Sequence, residues 1–206
     1  MINKVLIYWN TIKYLKNIQI IYRIYYKFKL NYFISRKLIK INKKIKYINL
    51  FSNNNTFFLD NFFYINNEYA EFSKIGWYPN SKDDLWNYKL HYFDYINNSK
   101  KKLKKDIDKN LIYNWIENYQ FKSGIGWDPY PTSIRIINWI TWSWNNKFKE
   151  KKVIENLLFQ IRYLSKNLEW HILGNHLLTN AKSLIFAGLF FEGNEARKWL
   201  KTGIKI

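Results

Sequence analysis

From residue 82 onward the chain repeats one texture: apolar residues at helical spacing, interrupted by short polar or Gly- and Pro-bearing stretches. That repetition constrains the fold more than any motif, because each such segment owns an apolar stripe and must bury it on a neighbour. Leu85, Tyr88, Lys89, Tyr92 and Ile96 mark a first helix that ends in Asn97-Asn98-Ser99. The charge run from Lys100 to Lys105 reads as a solvated loop or a helix start. Ile107, Leu111, Ile112, Trp115 and Ile116 mark a second helix. Two Gly and two Pro between Phe121 and Pro131 then break both helix and strand. Pro131 or Thr132 opens a third helix, with proline at a tolerated first-turn position. That helix, Ser133–Trp144, is apolar nearly all round and is expected inside the fold. Its exceptions Arg135, Asn138 and Trp142 share one face, which points at a partner helix or a cleft. Val153 to Leu168 form a fourth helix, Leu177 to Leu189 a fifth, and Gly193 starts a sixth in which Trp199 and Leu200 have no evident cover. Short links between such helices predict hairpins in a bundle, solenoid or toroid.

The first 75 residues have a different texture. Residues 1–59 carry 12 Lys or Arg and no Asp or Glu, with no Gly or Pro. Val5 to Leu15 and Ile18 to Phe28 predict two short basic helices, for which a solvated, lysine-rich face is the preferred reading and an anionic membrane surface the competing one. Tyr47–Phe51, Thr56–Leu59 and Phe62–Ile65 are short aromatic runs separated by Asn clusters, as in strands or extended loops. A boundary near residue 75 therefore separates a basic N-terminal segment, 1–75, from a helical region, 76–206.

Composition excludes several chemistries. The absence of cysteine removes disulfides, thiolate metal sites and cysteine nucleophiles. Three histidines, without an H-E-x-x-H pattern, make no metal cluster, so no metal or cofactor is expected. A formal charge of +19 points to an anionic partner. Lysine far outnumbers arginine, however, and no nucleic-acid motif is present, so specific nucleic-acid binding is not expected. No apolar run approaches the roughly 18 residues of a membrane span. No signal peptide is visible either, so a cytoplasmic location is expected. The 10 Trp and 17 Tyr exceed what a core requires, and their flat faces with polar tips suit sugar rings as well as cores.

The stretch most suggestive of a site is Glu169–Phe191. Gly174 and Asn175 stand where the fifth helix begins, and Asn is a favoured N-cap. His171 and His176 bracket that start, where free N–H groups and the helix dipole favour an anion. The same residues also fit a cap followed by a surface histidine.

Three strings together resemble the N-terminal region of the heparinase II/III family of polysaccharide lyases. They are Leu85-Trp-Asn-Tyr-Lys-Leu-His-Tyr-Phe-Asp-Tyr95, Gly126-Trp-Asp-Pro-Tyr-Pro-Thr-Ser-Ile-Arg-Ile-Ile-Asn-Trp139 and Glu169-Trp-His-Ile-Leu-Gly-Asn-His-Leu-Leu-Thr-Asn-Ala-Lys-Ser-Leu184. They occur in the family's order. Tyr8–Leu15 and Gln19–Arg23 add to the likeness. The resemblance implies a mainly α fold, an incomplete α/α toroid of helical hairpins preceded by the small basic segment with short strands. It also implies β-elimination on a uronic-acid-containing polysaccharide or oligosaccharide. Removing the C5 proton beside a carboxylate spreads charge onto an already negative group, so donors aimed at that carboxylate lower the barrier. By resemblance, Asn175 matches the carboxylate-neutralising Asn and His176 the adjacent His, as catalytic groups. Tyr92, Trp127, Arg135 and His171 fall in the similar strings and either line the sugar cleft or pack behind it. The family's Tyr acid/base and second His lie beyond the matched strings. The expectation is therefore the N-terminal portion of a lyase, inactive alone and completed by a separately encoded C-terminal portion. The alternative is a non-catalytic domain that binds acidic glycans.

Overall fold

A computed structural model of the chain describes residues 9–10, 12–30, 32–43, 56–98 and 105–206. Among them it is mainly helical, with one small antiparallel sheet. The elements run α1 (Asn17–Phe28), β1 (Phe57–Leu59), β2 (Phe62–Ile65), β3 (Glu68–Glu71) and α2 (Phe72–Ile75). There follow α3 (Asp84–Tyr92), α4 (Lys105–Asn118), α5 (Pro129–Asn145), α6 (Lys151–Ser165), α7 (Gly174–Phe190) and α8 (Asn194–Lys205). The expected strand at 47–51, the charge run at 100–104 and most of the first basic helix lie outside the described residues.

The sheet is a meander whose two turns are set by the Asn clusters. Asp60-Asn61 and Asn66-Asn67 all have positive φ, 47° to 70°, the two-residue geometry that matches the twist of flanking strands. Asn and Asp enter this region more readily than other non-Gly residues. Phe63 sits opposite Phe58 and Ala70, and all three are buried. Its ring meets Tyr95 at 5.0 Å, so the sheet lies on the chain just after α3. The strand Glu68–Glu71 was not expected, because Glu-Tyr-Ala-Glu shows no apolar run.

Two helix boundaries differ from expectation. The first helix ends at Tyr92 rather than running to Ile96, because Phe93 takes a left-handed conformation (φ 59°) and a 3₁₀ turn, Asp94–Asn97, follows. A buried Phe holds that conformation through packing, with its ring stacked 5.5 Å from Trp77 and edge-on to Trp139 at 5.3 Å. The third helix begins at Pro129, which places Pro129 and Pro131 in the first turn.

Helix α5 is the inner helix its apolar surface predicts, packed against α3, α6 and α7. Its polar face meets partners within the protein, and Asn138 of that face also lines an open groove. Asn138 donates to the Tyr92 carbonyl at 2.9 Å, and Trp142 Nε1 donates to Asp108 at 3.4 Å. Trp199 of α8 does find cover, against Phe191 at 6.3 Å, and is buried. Helices α7 and α8 approach closely because glycine lets them. A Cβ on Gly188 would meet Leu200 Cβ at 2.6 Å, and one on Gly203 would meet the Ala181 carbonyl at 2.6 Å.

The basic N-terminal region is strapped over this body. Ile41 bridges Phe191, flanked by the Asn42 N–H on the Phe190 carbonyl and the Glu192 N–H on the Lys40 carbonyl, both at 2.8 Å. Arg162 ties the strap to two helices: it donates to the Ser35 carbonyl at 2.9 Å and grips Glu195 with two 2.8 Å bonds. Helix α1 rests on the loop before α7. Tyr22 stacks on Trp170 at 5.7 Å, Tyr26 O–H donates to the Leu168 carbonyl, and Gln19 Nε2 donates to the Ile172 carbonyl at 3.3 Å. The solvent face of α1 is not the lysine-rich one expected. It is apolar, with Ile21, Ile24, Tyr25 and Phe28 all exposed.

Candidate functional site

The loop Glu169–Leu173 folds back on itself before α7 begins. The N–H groups of Ile172 and Leu173 bond the Glu169 carbonyl at 3.0 and 2.9 Å, and Leu173 and Gly174 take φ of 67° and 54°. Leu173 is the N-cap residue. Asn175 therefore lies inside the first helical turn and does not cap it, a correction to the expected helix start. The fold-back brings Glu169 against α7, seven residues ahead of His176.

A polar relay results. Glu169 is buried, and its Oε1 bonds His176 Nδ1 at 2.8 Å. Its Oε2 accepts from Asn180 Nδ2 at 2.9 Å. The same amide nitrogen bonds Ser133 Oγ on α5 at 2.9 Å, while Asn180 Oδ1 accepts the Glu169 backbone N–H at 2.8 Å. Ser133 O–H in turn donates to the Pro129 carbonyl at 2.7 Å. Asn180 is fully buried, so the relay is anchored in the core. It ends at His176, whose side chain is 41% exposed. A carboxylate on Nδ1 fixes the ring's orientation and turns Nε2 outward. Asn175 beside it is exposed, and its amide makes no side-chain hydrogen bond among the described residues. The first-turn N–H groups of α7 have no acceptor within the helix.

Aromatic rings extend the site toward α3. Tyr130 lies 4.5 Å from the His176 ring, and Tyr92 meets Tyr130 edge-on at 6.1 Å. Tyr92 then lines an open groove of about 690 Å³ with Asn66, Asn67, Lys89, Thr179 and Lys182. Thr179 stands three residues after His176 and four after Asn175, which places it on their side of α7. Lys89 is held in place by Asn66 of the β2–β3 turn. Asp94 is the one carboxylate among the lining residues, and it is buried. Burial, with Tyr130 and Asp94 adding to it, pushes the Tyr92 phenol well above its ordinary value.

The six expected site residues thus divide. Tyr92 lines the groove, His176 is joined to it through the Tyr130 ring, and Asn175 is exposed beside His176; neither His176 nor Asn175 lines the groove itself. Arg135 and Trp127 do not reach it; both are buried, 5.5 Å apart. Arg135 donates to Gln160 Oε1 at 2.8 Å, to the carbonyls of Gly126 and His91 at 2.7 and 3.2 Å, and to Thr132 Oγ1 at 3.3 Å. Its guanidinium lies over Trp115 at 4.2 Å, and desolvation lowers its pKa to about 9. This is a packing role, the second of the two readings open to it. Gly126 belongs to the same knot, where a Cβ would come within 2.6 Å of the His91 ring. His171 faces the other way, edge-on to Tyr26 of α1 at 5.2 Å; its Nδ1 is buried without a partner among the described residues, and burial holds its pKa below the usual value.

Glu169, Asn180, Ser133 and Tyr130 were not singled out from the sequence. Two signals pointed to them: Glu169 is the only carboxylate between Glu155 and Glu192, and Asn180 stands four residues after His176. Among the described residues no group of three His, Cys, Asp or Glu is placed to hold a metal. No family model, curated protein or solved structure matches the chain.

Proposed function

We propose that this chain carries the carboxylate-binding part of a heparinase II/III-like polysaccharide lyase, with an incomplete α/α toroid as its scaffold and a uronic-acid-containing glycan as its ligand. The observation that carries the reading is the relay from the buried Glu169 to the half-exposed His176, with the uncommitted amide of Asn175 alongside. A carboxylate presented at the mouth of α7 receives the Asn175 amide, the first-turn N–H groups and, in the doubly protonated ring whose Nδ1–H is held by Glu169, His176 Nε2–H. Those are the donors that β-elimination needs as charge moves onto the acid group. Tyr92 and Tyr130 offer faces to the sugar rings, and Lys89 and Lys182 attract neighbouring acid groups.

The same geometry gives weight to the second reading, binding without turnover. Tyr92 is the phenol that lines the groove, and its raised pKa makes it a poor proton acceptor. By the resemblance, proton abstraction belongs to a Tyr and a His outside the matched strings. The groups in this chain account for neutralising and gripping the acid.

The test is binding of polygalacturonate beside its carboxyl-reduced derivative, with ultraviolet absorbance of unsaturated uronate followed in the same samples. Wild type is expected to prefer the acidic polymer, and His176→Ala and Asn175→Ala to weaken that binding by about tenfold each, the loss of one charge-assisted hydrogen bond. Equal binding of the reduced polymer, or unchanged binding by both variants, overturns the reading. Product from the chain alone decides for lyase over binding domain.

A further inference from the structure

Helix α1 is amphipathic the wrong way round for a surface helix. Its inward side carries Gln19, Tyr22 and Tyr26, which bond or stack on the loop before α7. Its outward side carries Ile21, Ile24, Tyr25 and Phe28, spaced i, i+3, i+4, i+7 and between 51% and 74% exposed. Leu30 and Phe33 continue the apolar surface. Of the 19 large apolar side chains exposed among the described residues, nine fall between Trp9 and Phe33. An open groove of about 970 Å³ runs beside the stripe, between α1 and the chain from Ser165 to Trp170. A contiguous apolar surface of this kind marks an interaction site.

We propose that α1 is an interfacial helix that lays Ile21, Ile24, Tyr25 and Phe28 into the surface of an anionic lipid bilayer. Charge selects this occupant. Lys27 borders the stripe, Arg23 is exposed further round the same helix, and the first 59 residues hold 12 cations and no Asp or Glu. A second copy of the chain would bring the same cations face to face, at a net charge of +19 each. A glycan matches the lysines but gains nothing from exposed isoleucines. An apolar face with Lys27 at its edge and aromatic rings within it suits the headgroup–acyl interface. At 12 residues, α1 is about 18 Å long and lies in that interface rather than crossing it. No helix among the described residues is long and apolar enough to span a membrane.

The experiment is co-sedimentation of the full chain with vesicles of phosphatidylglycerol and phosphatidylcholine, against vesicles of phosphatidylcholine alone. Binding is expected to the anionic vesicles, weakened by salt but not abolished. The double variant Ile24→Gln/Phe28→Gln keeps the charge and is expected to lower partitioning by about tenfold or more, with its far-UV circular dichroism unchanged. Arg23→Gln/Lys27→Gln is expected to reduce the preference for anionic lipid. His176→Ala is expected to leave vesicle binding unchanged, which separates this surface from the glycan reading. Three results overturn the proposal. They are no binding to anionic vesicles, equal binding by the Ile24→Gln/Phe28→Gln variant (adsorption by charge alone), and a vesicle-free dimer that the same variant abolishes, which assigns the stripe to a second copy.

Discussion

Two polar clusters hang from successive residues of α5, and they end in different places. Thr132 and Arg135 belong to one, Ser133 to the other. The Arg135 cluster closes on itself: each of the three guanidinium nitrogens finds a carbonyl, an amide or a hydroxyl, and the buried group lies over the Trp115 ring. The Ser133 cluster runs outward through Asn180 and Glu169 and stops at a histidine that water reaches. Residue type does not separate the two, since a buried arginine is as arresting in a sequence as a histidine at a helix start. What separates them is whether the network is complete without a ligand. A closed network specifies a fold; one that ends in an exposed, pre-oriented group is available for chemistry.

The strongest challenge to this contrast is Arg135→Ala. It strips donors from buried acceptors on three segments and should cost about 3–5 kcal/mol of stability, seen as a large fall in the urea midpoint. The folded fraction should bind polyuronate as before. If instead stability holds and binding collapses, the closed cluster is part of the site.

Next in size is Asn180→Ala, which leaves the buried Glu169 carboxylate one donor short and its backbone N–H without an acceptor. About 2–3 kcal/mol of stability should be lost. Binding should weaken too, because His176 loses its anchor. Loss of stability without loss of binding would show that the relay does not position the histidine.

The closed cluster also predicts a pH dependence. His91 is buried beside Arg135, with its Nδ1 accepting from Trp115 Nε1 at 3.1 Å. Burial first, and the Arg135 charge second, hold its pKa well below the ordinary value. The unfolded chain takes up a proton at this residue near pH 6.5, whereas the folded chain does not. The unfolded state therefore binds more protons, and stability falls as the pH drops below about 6.5, by up to about 1.4 kcal/mol per pH unit from this group. Denaturant midpoints measured between pH 8 and pH 5 check the slope. A flat profile would show that His91 is not held neutral.

The smallest expected effect on stability is that of His176→Ala, within about 0.5–1 kcal/mol, because the ring is half-exposed and its partner Glu169 keeps Asn180. Its effect on polyuronate affinity should be the roughly tenfold loss already described. That inversion, a small cost to the fold and a large cost to binding, is the signature of the open cluster.

Much of this was legible in the sequence, for a physical reason. Buried helices keep an apolar stripe at their own period, so α4 to α8 could be placed from spacing alone. Asn-bearing breaks between aromatic runs marked short extended segments, and the two hairpin turns fall at such breaks, Asp60-Asn61 and Asn66-Asn67. What spacing could not show was long-range. Phe93 is left-handed only because Trp77 and Trp139 hold its ring, and nothing local forbids the helix from continuing. The polar face of α5 was visible, but a helical pattern does not reveal whether a neighbour closes over it. Glu169 was hidden because its approach to His176 depends on two positive-φ residues, Leu173 and Gly174, that reverse the chain. Likewise the basic composition of the N-terminal region predicted a lysine face on α1; packing by Tyr22, Tyr26 and Gln19 turned the apolar side outward instead.

The most direct test of the central claim uses the fact that the chain has only three histidines. Imidazole resonances followed by NMR while a galacturonate oligomer is added should show His176 shifting with saturation and His91 standing still. An unmoved His176 at concentrations where the oligomer is bound, or a shifting His91, would contradict the account.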